Sequence, residues 1–337
     1  MEALSEFDLL RPTTLAGVLE ARSAHPNSRL LGGGTDLLVN IRRGIVAPPV
    51  LIDVTGVGEL RCMKADAHGL EIGACVTLTE IAGHAGVARI YPVVAQAAAS
   101  IAGPTHRNMG TLGGNLCLDT RCIFYNQSEW WRQANNHCLK TTGDMCHVAP
   151  KSRGVCFATF SGDLAPALLT LGAEVDLLGP GGRRSLPLRE LYIGVARHDE
   201  KATGGDGKNY LALKQGEIVT AVRARHEPGL RSAYDKVRIR RSIEYPVAGV
   251  AVALRRDGET LADLRVAITG TNPRPVLLEG TQALCGGKLD AGVFKGLDEL
   301  VRDQIMSMKT TFTPGHYRRR VAGVLARRLV TRLFGQG

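Results

Sequence analysis

Apolar positions change period several times along the chain. Arg29-Leu30-Leu31 and Val50-Leu51-Ile52-Asp53-Val54 are short apolar runs bounded by turn residues, the pattern of short buried strands. Leu70-Glu71-Ile72-Gly73-Ala74 alternates, as a strand with one wet face does. Leu15, Val18, Leu19 and Ala21 have helical spacing, and Pro12, Thr13 and Thr14 before them suit a helix start. Helices are also expected from Leu37 to Ile41, Thr77 to His84, Tyr91 to Ile101 and Leu164 to Leu171. Ala173 to Leu178 returns to strand and turns at Gly179-Pro180-Gly181-Gly182. The polar, Gly-rich stretch 200–209 reads as a surface loop. From about residue 226 the texture shifts. Ala233 to Arg240 alternates apolar with basic, Val247 to Leu254 and Leu264 to Thr269 are strands, and Tyr317 to Phe334 is a basic amphipathic helix. The mixture is α+β, with a domain boundary near 222–230.

Composition narrows the class. The chain has 337 residues, 44% hydrophobic and 22% charged, which suits two or three folded domains and excludes a mainly disordered chain. No apolar stretch nears the roughly 18 residues of a membrane helix, so no span is expected. The acidic start, Met1-Glu2-Ala3-Leu4-Ser5-Glu6, lacks the features of a signal peptide, so a cytoplasmic protein is expected. Net charge is +10, with arginines gathered at Arg318, Arg319, Arg320, Arg327, Arg328 and Arg332. A zinc-stabilised, basic nucleic-acid-binding module is one reading of that charge. The helical stripe Val321, Val324, Leu325, Leu329 and Leu333 instead suits docking on protein, so no nucleic acid is expected.

Two glycine loops carry candidate chemistry. Gly32-Gly33-Gly34-Thr35-Asp36 joins a strand to a helix, where backbone N–H groups can approach a phosphate. Its spacing is neither GxGxxG nor GxxxxGK[ST], so a plain tight turn is the other reading. Thr111-Leu112-Gly113-Gly114-Asn115 is a second such loop, and two together suit a dinucleotide such as FAD. Asp163, before Leu164, reads as a helix N-cap, as a carboxylate facing cofactor hydroxyls, or as both. Lys236 on its alternating strand reads as a solvated charge or as a cofactor contact.

Five of eight cysteines fall within 40 residues, among Phe124, Tyr125, Trp130 and Trp131. Cys122, Cys138, Cys146 and Cys156 are 16, 8 and 10 residues apart, with no CxxC pair and no CxxCxxCxxxC run. An iron–sulfur cluster screened by the aromatics, a zinc site that includes His137 or His147, and unligated core thiols all stay open. Cys117, Cys62, Cys75 and Cys285 read as packing residues.

Taken in order, Leu31-Gly32-Gly33-Gly34-Thr35-Asp36-Leu37, Thr111 to Asn115, Ser161-Gly162-Asp163-Leu164-Ala165-Pro166-Ala167 and Tyr234 to Arg240 resemble the flavin subunit of the xanthine oxidase (molybdenum hydroxylase) family. Within it, Asp119-Thr120-Arg121-Cys122 and Phe124 to Arg132 resemble the inserted loop of the 4-hydroxybenzoyl-CoA reductase branch. The resemblance implies a two-subdomain FAD-binding PCMH-type domain over 1–225, divided at about 57/58, with a loop insertion at 117–156. A smaller α/β domain of the CO-dehydrogenase flavoprotein type would follow over 226–337. It implies FAD on Arg29, Leu30, Leu31, Gly32, Gly33, Gly34, Thr35, Asp36, Ile101, Thr111, Leu112, Gly113, Gly114, Asn115, Asp163 and Lys236. It also implies a [4Fe–4S] cluster on Cys122, Cys138, Cys146 and Cys156, with Arg238 and Arg240 as surface or partner contacts.

The implied function is an electron-transfer subunit with no catalytic residue of its own. Electrons from ferredoxin would pass through the cluster and FAD to [2Fe–2S] clusters on a small subunit. They would then reach molybdenum on a large subunit, where 4-hydroxybenzoyl-CoA is reduced to benzoyl-CoA. The assembly would be a dimer of heterotrimers. The alternatives are an FAD subunit of another molybdenum hydroxylase that passes electrons outward, and a stand-alone flavin oxidase. FAD and cysteines would use different segments, so losing the cysteines should spare the flavin.

Overall fold

The computed structural model describes residues 5–195, 205–240, 243–306 and 308–335. Strands β1 (Asp8–Leu10), β2 (Arg29–Leu31) and β3 (Val50–Asp53) form a parallel sheet in the order β1-β3-β2. Helices α1 (Leu15–Ala24) and α2 (Leu37–Arg42) make its crossovers. Thr14 caps α1, its Oγ1 accepting from the Gly17 N–H at 3.1 Å. Leu51 and Ile52 are fully buried in succession, as expected of a parallel strand covered on both faces. The loop after β2 therefore opens at the carboxyl end of a parallel sheet, where ligand crevices form.

The second sheet runs β4 (Met63–Ala65), β5 (Gly69–Gly73), β6 (Glu174–Gly179), β7 (Gly182–Pro187) and β8 (Ile218–Arg225), in the order β4-β5-β8-β6-β7. All its pairs are antiparallel. Against it pack α3 (Leu78–Gly83), α4 (Ala85–Ile90), α5 (Pro92–Ser100), α7 (Leu112–Leu116) and, beyond α8 (Glu129–Ala134) of the inserted loop, α9 (Leu164–Thr170), while the short α6 (Pro104–Arg107) lies against α3 with no buried residue. One core joins both sheets, from Val18 and Ile52 to Ile72, Leu168 and Val222.

The third sheet holds β9 (Arg231–Val237), β10 (Ala248–Asp257), β11 (Thr260–Thr269) and β12 (Val276–Leu277), in the order β12-β11-β10-β9, again antiparallel. Helices α10 (Ala291–Gln304) and α11 (Gly315–Gly335) cover it with a separate core. α11 corrects one expectation. Leu325, Leu329 and Leu333 are buried against this chain's own sheet and α10, with Val321 packed beside them, so the stripe is core and not a docking face. Arg318 is buried as well, donating from Nε to the Val247 carbonyl at 3.2 Å and from Nη1 to Thr310 Oγ1 at 2.6 Å. Among the described residues no helix is long and apolar enough to cross a membrane.

The loop expected at 200–209 is on the surface at Lys208 and Asn209 and differs at Gly205 and Gly207. Residues 200–204 lie outside the described residues. Gly207 is buried, and the Gly205 carbonyl accepts from the Cys156 N–H at 3.3 Å. Polar composition marked this stretch as wet, yet its backbone carbonyls are used to satisfy buried donors.

Candidate functional site

The first glycine loop is shaped by a close backbone approach. A Cβ on Gly33 would lie 1.7 Å from the Met109 carbonyl oxygen, so only glycine lets the two loops meet. Gly34 has φ +71°, the left-handed turn that feeds α2. The N–H groups of Gly32, Gly33, Gly34, Thr35 and Asp36 donate to no other group among the described residues. These residues are half-buried, Thr35 exposed, so their amides are open to the cavity and available to an acceptor such as a phosphate oxygen. The second loop caps α7, Thr111 Oγ1 accepting from the Gly114 N–H at 3.1 Å.

The two loops wall a cavity of about 900 Å³. Arg29, Leu30, Gly32, Gly33, Gly34, Thr35, Asp36, Ile101, Thr111, Gly114, Asn115 and Asp163 line it. Leu31, Leu112, Gly113 and Lys236 are not on its wall. The Leu31 carbonyl is taken by the Val54 N–H, and the Leu112 and Gly113 N–H groups bond the carbonyls of Val76 and Ala74. These residues hold the loops in place from behind. Asp36 is fixed by Asn40 Nδ2 at 2.7 Å and by Tyr245 Oη at 3.2 Å.

Asp163 does not cap α9. Its own backbone is helical, and Asn115 Oδ1 accepts the Leu164 N–H at 3.0 Å instead. The Asp163 carboxylate accepts from Tyr234 Oη and, at 3.0 Å, from Lys236 Nζ. All three side chains are buried, so Lys236 is not a solvated charge. Burial pushes the Asp163 carboxyl up and the Lys236 ammonium down, and their mutual attraction opposes both shifts. The Tyr234 N–H bonds Gln96 Oε1 at 2.8 Å, which ties this group on β9 to α5. Arg238 is half-buried and reaches the Ser100 carbonyl at 3.4 Å, while Arg240 is exposed.

Sequence reasoning missed several wall residues: Asp119, Tyr125, Lys140, Tyr210 and Tyr245. They lie in loops without periodicity. The lone signal was the aromatic clustering near Tyr125. Three of the missed residues belong to the 117–156 insertion, so this loop forms part of the cavity wall and is not separate from it.

Cys122, Cys138, Cys146 and Cys156 are brought together in one small buried core with Ile45, Tyr125, Leu139 and Ala158. Cys62, Cys75 and Cys285 lie elsewhere, and Cys117 sits half-buried on the cavity wall. Burial raises the Cys122 thiol to about 11. The free Cys146 and Cys156 thiols act on each other, which pulls Cys146 down and pushes Cys156 up. Among the described residues no three His, Cys, Asp or Glu side chains are placed around a common point as metal ligands. The thiols are therefore gathered in one core, all of them free, without converging on one point. Four buried thiols of one loop are the donor set an iron–sulfur cluster would use, and Arg132 Nε and His137 Nδ1 of the same loop are buried without a hydrogen-bond partner.

Two details of the loop differ from expectation. Trp130 is 76% exposed and screens nothing. His147 is engaged, its Nε2 donating to the His137 carbonyl at 2.5 Å and its ring packed on Phe124 and Trp131.

Residues 5–224 match the family of the FAD binding domain in molybdopterin dehydrogenase. The chain belongs to the FAD-binding subunits of the molybdenum hydroxylases. Residues 232–333 match the CO dehydrogenase flavoprotein C-terminal domain, so the α+β fold is this two-part flavoprotein. The aldehyde oxidoreductase FAD-binding subunit PaoB of Escherichia coli is 31% identical over 330 residues, 96% of this chain and 98% of the relative. The carbon monoxide dehydrogenase medium chain of Afipia carboxidovorans is 26% identical over 97% of this chain and 96% of its own. In solved structures, the reconstituted CO dehydrogenase from Oligotropha carboxidovorans superposes over the whole of both chains with a TM-score of 0.77 at 24% identity, which shows the fold. This is an FAD-binding oxidoreductase subunit of xanthine dehydrogenase-like type.

Proposed function

We propose that the cavity between the two glycine loops holds FAD and that the chain relays electrons without acting on the organic substrate itself. The observation that carries this is the row of unpaired amides from Gly32 to Asp36, pressed against the Thr111 loop and facing a cavity of about 900 Å³. These amides would bind the pyrophosphate, with Thr111, Gly114 and Asn115 on the opposite side. Asp163, held rigid by Tyr234 and Lys236, would present a fixed carboxylate to the cofactor's polar edge. Leu31, Leu112, Gly113 and Lys236 would act from behind the wall. Cys122, Cys138, Cys146 and Cys156 would hold a [4Fe–4S] cluster. When bound, FAD exchanges electrons singly or in pairs and the cluster exchanges them singly. The division into domains at 225/226 belongs to the same proposal, as do a molybdenum-binding large subunit, a [2Fe–2S] small subunit and a dimer of heterotrimers.

For direction and substrate we carry two readings. Residues 119–132 favour reduction of 4-hydroxybenzoyl-CoA with electrons from ferredoxin. The 31% identity to an aldehyde oxidoreductase subunit favours an oxidising enzyme that passes electrons outward. Anaerobic purification of the native complex tests all of this. One FAD per copy of this chain is expected, with about four iron and about four acid-labile sulfide beyond those of the small subunit's [2Fe–2S] clusters. Stoichiometric zinc with no iron or sulfide beyond the small subunit's would remove the cluster. Reduction of 4-hydroxybenzoyl-CoA by that complex, or oxidation of an aldehyde, separates the two readings.

A further inference from the structure

Lys140 is a tightly held cation of the inserted loop on the wall of the cavity. Its side chain is 3% exposed. Its three N–H groups meet three acceptors: Asp119 Oδ1 at 2.8 Å, Thr120 Oγ1 at 2.9 Å and the Gly207 carbonyl at 2.5 Å. The ammonium also sits 5.2 Å from the Tyr125 ring centre and 5.1 Å from that of Tyr210. Two distant stretches, 119–125 and 207–210, converge on one charge, and Lys140 and Asp119 both line the flavin cavity. Taking a lysine this far out of water is costly, and a hydrophobic side chain of similar length would fill the space as well. A charge retained at such a position acts on whatever charge changes beside it.

We propose that Lys140 and Asp119 are an opposed charge pair in the cavity wall that sets the reduction potential of the bound flavin. Reduction adds negative charge in the cavity. The Lys140 ammonium favours that charge and the Asp119 carboxylate opposes it, both at reduced dielectric. Removing either partner also leaves the other uncompensated, which enlarges the effect and gives the two substitutions opposite signs.

The inference rests on FAD occupying this cavity, and the experiment separates the two claims. Flavin midpoint potentials are measured by spectroelectrochemistry on purified, FAD-loaded protein carrying Lys140→Met, Lys140→Arg or Asp119→Asn. Lys140→Met should move the midpoint to more negative values and Asp119→Asn to more positive ones. Lys140→Arg, which keeps the charge, should stay near wild type. Unchanged potentials, or shifts of the same sign for Met and Asn, overturn the proposal even if thermal stability falls, because a purely structural tether carries no sign. Should Lys140→Met fail to retain FAD, Asp119→Asn alone decides, and a midpoint that does not rise overturns it. Wild-type protein without flavin would instead overturn the cavity assignment.

Discussion

Gly33 shows how one residue type sets a binding surface. The carbonyl of Met109 occupies the space a side chain would need, and that carbonyl belongs to backbone that cannot swing away. Gly33→Ala is therefore expected to separate the two loops, destabilise the chain by about 1–3 kcal/mol and lower its flavin content. Thermal unfolding and the bound-flavin absorbance check this, and wild-type values for both would refute the close-approach argument. Asp163 teaches the opposite lesson. Its position before a helix suggested a cap from sequence, but the cap is supplied by Asn115, forty-eight positions earlier. Freed from that task, the carboxylate is held by Tyr234 and Lys236, contacts that no local pattern encodes.

At the scale of elements, most strands and helices were legible because their apolar period is local. Thr14 and Thr77 cap their helices where Thr was expected, and Thr77 with Glu80 forms a full capping box. Strand β8 was not recognised, because its partners β5 and β6 are distant in sequence and its register is decided by them. Helix α10 was missed although Val293, Leu297, Leu300 and Val301 have helical spacing, a signal present in the chain but passed over. The joint between β8 and β9 is secured by Glu227, which accepts from Arg265 at 2.6 and 2.7 Å and from Arg255 at 3.1 Å. The Arg265 hydrogen bonds hold the Glu227 carboxyl below its ordinary range. A carboxylate with a depressed folded-state pKa stabilises the fold above its unfolded value of about 4.3 and loses that contribution as pH falls through the folded value. Glu227→Gln should therefore cost roughly 1 kcal/mol at neutral pH and flatten the acid limb of the stability profile below about pH 4.3. Urea unfolding from pH 7 down to pH 3 reads this directly, and an unchanged acid limb would count against it.

Across the whole molecule, the insertion couples two sites that sequence order kept apart. Tyr125, Lys140, Thr141 and Thr142 line the flavin cavity, while Cys122, Cys138, Cys146 and Cys156 pack in the small core behind it. Gly207 presses on Cys156, where a Cβ would lie 2.5 Å from the sulfur, and its carbonyl bonds Lys140. The expectation that the cysteines and the flavin are independent is thus revised. Under the proposed cluster assignment, Cys138→Ser is expected to remove the iron and to lower flavin retention as well, by loosening the wall. Iron and flavin analysis of the same preparation checks this; iron lost with full flavin occupancy would restore the independent picture. The arginine-rich end is also reread at this scale, since Arg318 is buried inside the chain and the apolar stripe of α11 belongs to its own sheet.

Local information lies in the residues themselves. Glycine's permitted angles, helix caps, apolar periods and the gathering of cysteines in one stretch all read from the chain, and they sufficed for the family, the α+β class and the first glycine loop. What touches what across the fold is another matter. The pairing of Asp163 with Lys236, the Lys140 anchor, the burial of the α11 stripe and the shared wall between cysteines and flavin cavity were decided by tertiary structure. Each joins groups far apart in sequence, and burial in a low dielectric demands a partner for every charge without specifying, in any local pattern, which one it will be.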